Sequence, residues 1–394
     1  EKVLLLPLSF SMPLALNFGY LLTPIRFIGD TGMDALVLSV SSAVAASIHG
    51  KLNPSWLALW FLIICLSVSG AYWITRAEIV TAENAVRVSL LQPAHSVEQE
   101  RRARWSLAAR RNRENNLDDL TLRAIEASGE VILWPEGGNG LFNMRLMTRR
   151  SILKDMSLRS GAVILATGMD LTPDGEHYNV VHHIQEGRFF QDARKSKLVR
   201  FSEAHLQTGD PTVFRTRYGV IGISICYESV FSDHVMSLRD EGAQAIFVMS
   251  NDSSFGLAAI PYWHAAYSVL KGIEAGLPVV FLSNNGPALV SDQLGDVLEY
   301  DSYSSTPIAH NWSVRMVTEN QFNSARLSWY LLALPMMGVY FLLLGWKWDD
   351  SRDLIFAAIS AVPLLLILII DLRGNVLYLN SIVLALVVAT VLGF

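Results

Sequence analysis

The chain has 394 residues, of which 51% are hydrophobic and 17% are charged, and its mean hydropathy is +0.32. These values are too apolar for an ordinary soluble enzyme and predict a membrane protein. The net charge of −5 offers no basic surface of the kind that binds nucleic acid. A stabilising disulfide is not expected, because the two cysteines are Cys65 in an apolar stretch and Cys226 in a different region.

Three apolar stretches occupy the start of the chain, at residues 3–22, 35–48 and 56–74. A helix needs about twenty apolar residues to cross a bilayer, so the first and third are long enough and the second is marginal. Residues 1–76 are therefore predicted to form about three transmembrane helices. We expect residues upstream of Glu1, and no cleavable signal peptide here, because the first stretch is long and lacks a basic leader.

A polar region follows, and it begins with a predicted strand at residues 85–92. The charged runs 98–104 and 110–113 are typical of a solvated helix face, and contact with anionic lipid headgroups is the alternative. Residues 117–128 have the apolar spacing of an amphipathic helix, which Gly129 ends.

Several predicted strands end in residues that carry chemistry, and strand ends are where a rigid sheet presents side chains to a loop. Cys226 is the candidate nucleophile, although most free cysteines are small buried hydrophobes. The strands are the short apolar run that begins at residue 131 and ends in Glu136, the pair 178–185 and 187–191 before the charged segment 195–203, and 218–225 before Cys226.

Helices and strands then alternate, which predicts layered α/β structure. The predicted helices are 151–158, 232–241 and 264–275, and the predicted strands are 162–167, 245–249 and 277–283.

The end of the chain is again apolar, in three stretches that are each predicted to span a membrane. The middle stretch is short and contains Pro363. The stretches are 327–346, 354–370 and 376–394, so the predicted organisation is transmembrane helices in 1–76, a catalytic domain in 77–318 and transmembrane helices in 319–394.

Glu136, Lys195 and Cys226, in that order and each near a strand end, resemble the nitrilase or carbon–nitrogen hydrolase superfamily. Six motifs across residues 86–300 narrow the resemblance to its membrane branch, the apolipoprotein N-acyltransferases. The motifs are Trp134-Pro135-Glu136, Tyr178-Asn179, residues 195–203, Cys226-Tyr227-Glu228, Ser250-Asn251-Asp252 with Phe255-Gly256, and Gly272-Ile273-Glu274 with Asn284-Asn285-Gly286.

The resemblance implies an αββα sandwich of the nitrilase type, here flanked by transmembrane helices. The chain departs from the family in its three predicted spans on each side of the domain, where most helices are expected before it. It also has Arg200 and Ser202 where Pro and Gly are usual, and Ser254 where tryptophan is frequent.

The resemblance and the chemistry of acyl transfer together suggest three roles. Glu136 would take the thiol proton, Cys226 would hold the acyl group as a thioester, and Lys195 with the amide of Tyr227 would stabilise the oxyanion. Lys197 is the alternative lysine, but the family spacing of eight residues before Glu203 selects Lys195.

Other residues are assigned supporting roles. Glu203 and Glu228 would orient the lysine and the nucleophile, with surface ion pairs as the alternative. Asn179 would brace a loop, as would Asn251 and Asp252. Trp134, Phe255, Tyr262 and Trp263 could form an apolar wall for an acyl chain, or belong to the core or an interfacial belt.

Nothing in the sequence indicates a metal or cofactor. His205 and His264 are interpreted as loop or core histidines, because no His, Cys and Asp group has metal-ligand spacing.

The leading hypothesis is transfer of a fatty acyl group from a phospholipid, through a cysteine thioester, to an amine. The resemblance implies that the acceptor is the N-terminal diacylglyceryl cysteine of apolipoproteins and that the domain is periplasmic at a bacterial inner membrane. The alternatives are a membrane-anchored amidase, an acyltransferase for another amine, and a silent scaffold. The presence of Glu136, Lys195 and Cys226 together argues against the scaffold.

Overall fold

The computed structural model describes residues 19–27, 29–30, 33–34, 44, 47–48, 54–137, 147–199, 202–255 and 259–320. Contacts divide the chain into two compact units, one made mainly of Ile79–Asn320 and one that includes Leu21–Glu78.

The predicted transmembrane regions are described only in part. The apolar stretch 56–74 lies in helix α1 (Pro54–Glu78). Among the described residues, no helix combines the length and the apolarity that crossing a membrane requires. Most of stretches 3–22 and 35–48, and all three stretches after residue 320, lie outside the described residues. The transmembrane assignment stays a prediction.

The larger unit contains two six-stranded sheets within the described residues, and a small pair formed by β1 and β14. The first sheet has the order β13-β2-β3-β4-β5-β6 and the second β12-β11-β10-β9-β8-β7. The strands are β1 (Ile79–Thr81), β2 (Val86–Gln92), β3 (Val131–Leu133), β4 (Val163–Leu171), β5 (His177–Gln185), β6 (Arg188–Arg194), β7 (Thr212–Thr216), β8 (Gly219–Ile225), β9 (Ala245–Ser250), β10 (Val279–Ser283), β11 (Ala288–Ser291), β12 (Val297–Asp301), β13 (Ile308–Val314) and β14 (Val317–Asn320).

Helices cover the outer faces of both sheets. Helices α3 and α4 pack on the first sheet, and α5 and α6 pack on the second. The helices of this unit are α2 (Val97–Trp105), α3 (Leu107–Glu126), α4 (Met147–Ser160), α5 (Ser232–Asp240) and α6 (Ile260–Ala275), and short 3-10 helices occupy Cys226–Val230 and Ser253–Phe255.

The central strands are apolar at consecutive positions because both of their faces are buried. In β3, Val131 and Leu133 point into the core between the sheets, whereas Ile132 points toward α3 and α4. Successive side chains of a strand alternate between its two faces. This layering confirms the αββα sandwich.

Parallel pairing brings the site together. Strands β8, β9 and β10 run parallel to one another, so their carboxyl ends lie at one edge of the second sheet. Strand β3 pairs parallel with its neighbours β2 and β4 in the first sheet. Residues that follow β3, β8, β9 and β10 can therefore meet across the sandwich.

Candidate active site

Cys226 follows β8 directly and has a left-handed backbone, with φ at +53°. Residues other than glycine rarely adopt this region, and it costs roughly 1–2 kcal/mol. The turn is fixed by Glu228, whose Oε2 accepts the Ile225 N–H at 2.7 Å, and by Ser229, whose Oγ donates to the Cys226 carbonyl at 3.0 Å. Strained residues of this kind cluster at active sites, which agrees with Cys226 as the candidate nucleophile.

Glu136, Lys195 and Glu203 form a buried charged cluster. The Lys195 ammonium donates to Glu136 Oε1 at 2.8 Å and to Glu203 Oε1 at 2.9 Å. Asn179 Nδ2 donates to the same two oxygens, at 2.7 and 3.1 Å. The lysine is 1% exposed, so its charge is balanced by these carboxylates rather than by water.

The electrostatics of the cluster set the resting protonation of the site. Burial alone would lower the pKa of Lys195, but the Glu136 and Glu203 carboxylates raise it above its ordinary value, so the ammonium stays charged. Burial and the Glu136 carboxylate raise the pKa of the Cys226 thiol well above its ordinary value. The thiol is therefore neutral at rest and needs a base before it can attack.

Glu228 links the turn at residues 225–229, called the nucleophile turn because it carries the candidate Cys226, to the segment that follows Lys195. Its Oε1 accepts from Ser196 Oγ at 2.6 Å and from the Lys197 N–H at 3.2 Å. At 2% exposure it is not a surface ion-pair partner, and the side chain of Glu203 is only 13% exposed.

The alternative lysine lies elsewhere. Lys197 pairs with Asp233 at 2.6 Å, and the two side chains are 28% and 60% exposed. Of the two lysines, only Lys195 contacts Glu136.

The four aromatic residues predicted to line an acyl chain differ in their burial. Trp134 is fully buried in the core, where its indole N–H donates to Thr121 Oγ1 at 3.1 Å, so the structure places it in the core rather than at the site. Phe255 and Trp263 are 44% and 38% exposed, and Tyr262 is half-buried. For these three the acyl-wall assignment stays a prediction. The Tyr227 ring, in the nucleophile turn, packs edge-on against Phe231 at 4.8 Å.

A second polar group contacts the nucleophile turn, and sequence reasoning missed it. His264 Nε2 lies 3.0 Å from the Cys226 carbonyl oxygen and Nδ1 lies 3.1 Å from Asp252 Oδ1. The interpretation of His264 as a core histidine is correct for its burial but omitted these contacts. The available signal was an Asn-Asp pair after β9 and a histidine near the start of α6.

Cys226, Asp252 and His264 also offer three possible metal-ligand atoms within 4.8 Å of one another. Their spacing in the sequence did not indicate this group. Both ring nitrogens of His264 already have protein partners, so hydrogen bonding alone accounts for the arrangement.

Asn251 and Asn284 connect the site to α2. Asn251 Nδ2 donates to Glu100 Oε1 at 2.8 Å, and Asn284 Nδ2 donates to the His95 carbonyl at 2.7 Å. These contacts agree with the prediction that Asn251 braces a loop.

Comparison with known proteins gives relatives and structural neighbours. The chain is 29% identical to "Apolipoprotein N-acyltransferase" of Brucella melitensis over 317 residues, which is 72% of this chain and 58% of the relative. It is 21% identical to the protein of the same name from Photobacterium profundum, over 72% of this chain and 59% of the relative. The chain thus spans less than two thirds of the length of these relatives.

Solved structures that are similar to this chain include Saccharomyces cerevisiae Nit3, at 19% identity and a TM-score of 0.47, over 62% of this chain and 94% of that one. The NitN amidase of Nesterenkonia sp. AN1 is 16% identical with a TM-score of 0.46, over 63% and 99%.

The family is shown by a family model that matches most of the larger unit. The family model of the carbon–nitrogen hydrolases matches residues 86–328, more than half of the chain. Its span includes Glu136, Lys195 and Cys226. The chain therefore belongs to the carbon–nitrogen hydrolase family.

Proposed function

We propose that this protein is a membrane acyltransferase that moves a fatty acyl group from a phospholipid, through a thioester on Cys226, to an amine. The observation that carries the proposal is the strained turn at Cys226, whose thiol interacts electrostatically with the buried Glu136 and Lys195 pair. The similarity over 72% of the chain to proteins named apolipoprotein N-acyltransferase supports an apolipoprotein amine as the acceptor. It also supports a bacterial inner membrane location with the catalytic unit on the periplasmic face.

The first half-reaction forms the thioester. Glu136 takes the proton of Cys226 as the sulfur attacks the ester carbonyl of the phospholipid. The ammonium of Lys195 and the N–H of Tyr227 stabilise the negative oxygen of the tetrahedral intermediate. The ester C–O bond then breaks, a C–S bond remains, and Glu136 returns the proton to the departing lysophospholipid.

The second half-reaction uses the same groups. An amine attacks the thioester carbonyl, Glu136 takes the proton that the nitrogen loses, and the C–S bond breaks. The proton returns to the sulfur, which leaves an amide product and a neutral Cys226. If water took the place of the amine, the thioester would give a fatty acid and the enzyme would be an esterase; with an amide in place of the ester donor, the same steps would make it an amidase.

The proposal is tested by following a labelled acyl chain. The full chain in mixed micelles is incubated with phosphatidylethanolamine labelled in its acyl chains and with a diacylglyceryl-cysteine peptide that has a free α-amine. We expect labelled peptide, and a loss of about a thousandfold or more in Cys226→Ala, because this variant lacks the nucleophile. Cys65→Ala is the matched control, since Cys65 is the other cysteine of the chain, and it should retain transfer. Label that appears only as free fatty acid would contradict transfer and favour hydrolysis.

A further inference from the structure

We propose that His264 is a positioning residue that sets the oxyanion-binding N–H of Tyr227 through the carbonyl of Cys226. The inference rests on the proposed acyl chemistry at Cys226 and extends it to a residue outside the Glu136, Lys195 and Cys226 group.

His264 contacts the peptide unit that joins Cys226 to Tyr227. His264 lies in the first turns of α6, is 5% exposed, and reaches the Cys226 carbonyl with Nε2 at 3.0 Å. Ser229 Oγ donates to the same carbonyl at 3.0 Å, and Ser268, one turn further along α6, donates to Ser229 Oγ at 2.8 Å. Helix α6 therefore holds this carbonyl directly and through a serine.

The partners of the ring fix its protons. A carbonyl oxygen can only accept a hydrogen bond, so Nε2 must donate to Cys226. An ionised carboxylate also only accepts, so Nδ1 donates to Asp252, which Ser250 Oγ contacts in turn at 3.1 Å. Both conditions are met by the imidazolium form. Burial opposes the charge on His264, but the Asp252 carboxylate raises the pKa of the ring above its ordinary value.

The consequence for catalysis follows from the geometry of one peptide bond. The Cys226 carbonyl and the Tyr227 N–H belong to the same planar trans unit, in which they point in opposite directions. Donors that hold the carbonyl on one side therefore fix the direction of the N–H on the other. A charged donor also polarises the amide and strengthens its N–H as a donor, because hydrogen bonds in a chain reinforce one another.

Two reactions of the same sulfur separate this role from a merely structural one. Acylation by p-nitrophenyl butyrate passes through an oxyanion, whereas alkylation by iodoacetamide does not. We expect the ratio of the two rates to fall by about a hundredfold in His264→Ala, as when an oxyanion donor is lost. In His264→Gln, which keeps an N–H donor, we expect part of the ratio to return. The Gln variant also keeps the test valid if the Ala variant folds poorly.

The chain offers a matched control in a second buried histidine. His182 is 2% exposed and pairs with Asp192 at 2.6 Å, in the strands β5 and β6. His182→Ala should leave the ratio of acylation to alkylation unchanged. An unchanged ratio of acylation to alkylation in His264→Ala, whether both rates stay the same or both fall by the same factor, would overturn the inference. Because the ester replaces the phospholipid, a wild-type enzyme that accepts the ester but not the phospholipid would overturn the lipid donor alone.

Discussion

The buried ammonium of Lys195 contacts two carboxylates at the centre of the site. Lys195 donates to both Glu136 and Glu203, and Asn179 donates to the same two oxygens. Removing the lysine would leave two buried carboxylates without their cation, which typically costs about 3–5 kcal/mol of stability. It would also remove the cation that contacts Glu136, the proposed base, at 2.8 Å.

Lys197, two residues from Lys195, serves as the control for the predicted role of Lys195. We expect Lys195→Met to lower the rate of Cys226 acylation by about a hundredfold or more, because both the oxyanion donor and the base are affected. Lys197→Met should change that rate by less than about threefold, since exposed ion pairs contribute little. Single-turnover acylation measures both. Equal losses in the two variants would contradict the assignment of Lys195.

Strand ends and family spacing pointed to Glu136, Lys195 and Cys226 from sequence, and the structure places Lys195 against Glu136. The contact between His264 and Cys226 could not be predicted in the same way. The two residues are 38 positions apart, and the contact depends on how α6 packs against the turn after β8. Trp134 was ambiguous because an aromatic residue beside a candidate catalytic glutamate fits either a pocket wall or a core.

At the scale of elements, α3 holds the loop that carries Glu136. Arg113 of this helix donates to the Gly137 carbonyl at 2.7 Å and to His95 Nδ1 at 3.2 Å. Burial, together with the charge of Arg113, lowers the pKa of His95 to about 3. His95 is therefore neutral in the folded protein, where it accepts a hydrogen bond from Arg113.

This contact predicts a specific sensitivity to acid. The pKa of His95 is lower in the folded state than in the unfolded state, so between pH 6.5 and about 3 the unfolded state binds the extra proton. Stability is fully present above pH 6.5 and is lost as the pH falls through this window, by about 2 kcal/mol between pH 7 and pH 5. Urea unfolding at these two pH values measures the loss.

The variant His95→Gln should show a loss smaller by about this amount, because it removes the titrating group. His205→Gln is the control, since His205 is exposed. Between pH 7 and pH 5 this variant should lose as much free energy of unfolding as the wild type. An identical pH dependence in His95→Gln and the wild type would contradict the account.

The elements themselves were predictable where apolar patterns are strong. Strand 178–185 was found as His177–Gln185, and strand 245–249 as Ala245–Ser250. The helix predicted at 117–128 instead begins at Leu107, because Ser106 Oγ caps it by accepting the Ala109 N–H. Its first turns are rich in arginine and lack the apolar spacing that marks a helix. The predicted charged run 98–104 lies in α2, where Arg101 and Arg102 are exposed.

At the scale of the molecule, the αββα sandwich followed from alternating elements and from the resemblance. The pairing of the edge strand β13 with β2 could not be predicted in this way. More than two hundred residues separate the two strands, and no local pattern encodes the partner. The parallel run of β8, β9 and β10 explains why distant motifs share one edge.

The most direct test of the central claim is the mass of the intact protein after incubation with phosphatidylethanolamine alone. We expect a gain of one fatty acyl group, located on Cys226 and absent in Cys226→Ala. Added diacylglyceryl peptide with a free α-amine should remove this mass and become acylated, whereas the same peptide with an acetylated amine should not. No acyl mass with phospholipid, or removal at the same rate with both peptides, would contradict transfer through Cys226.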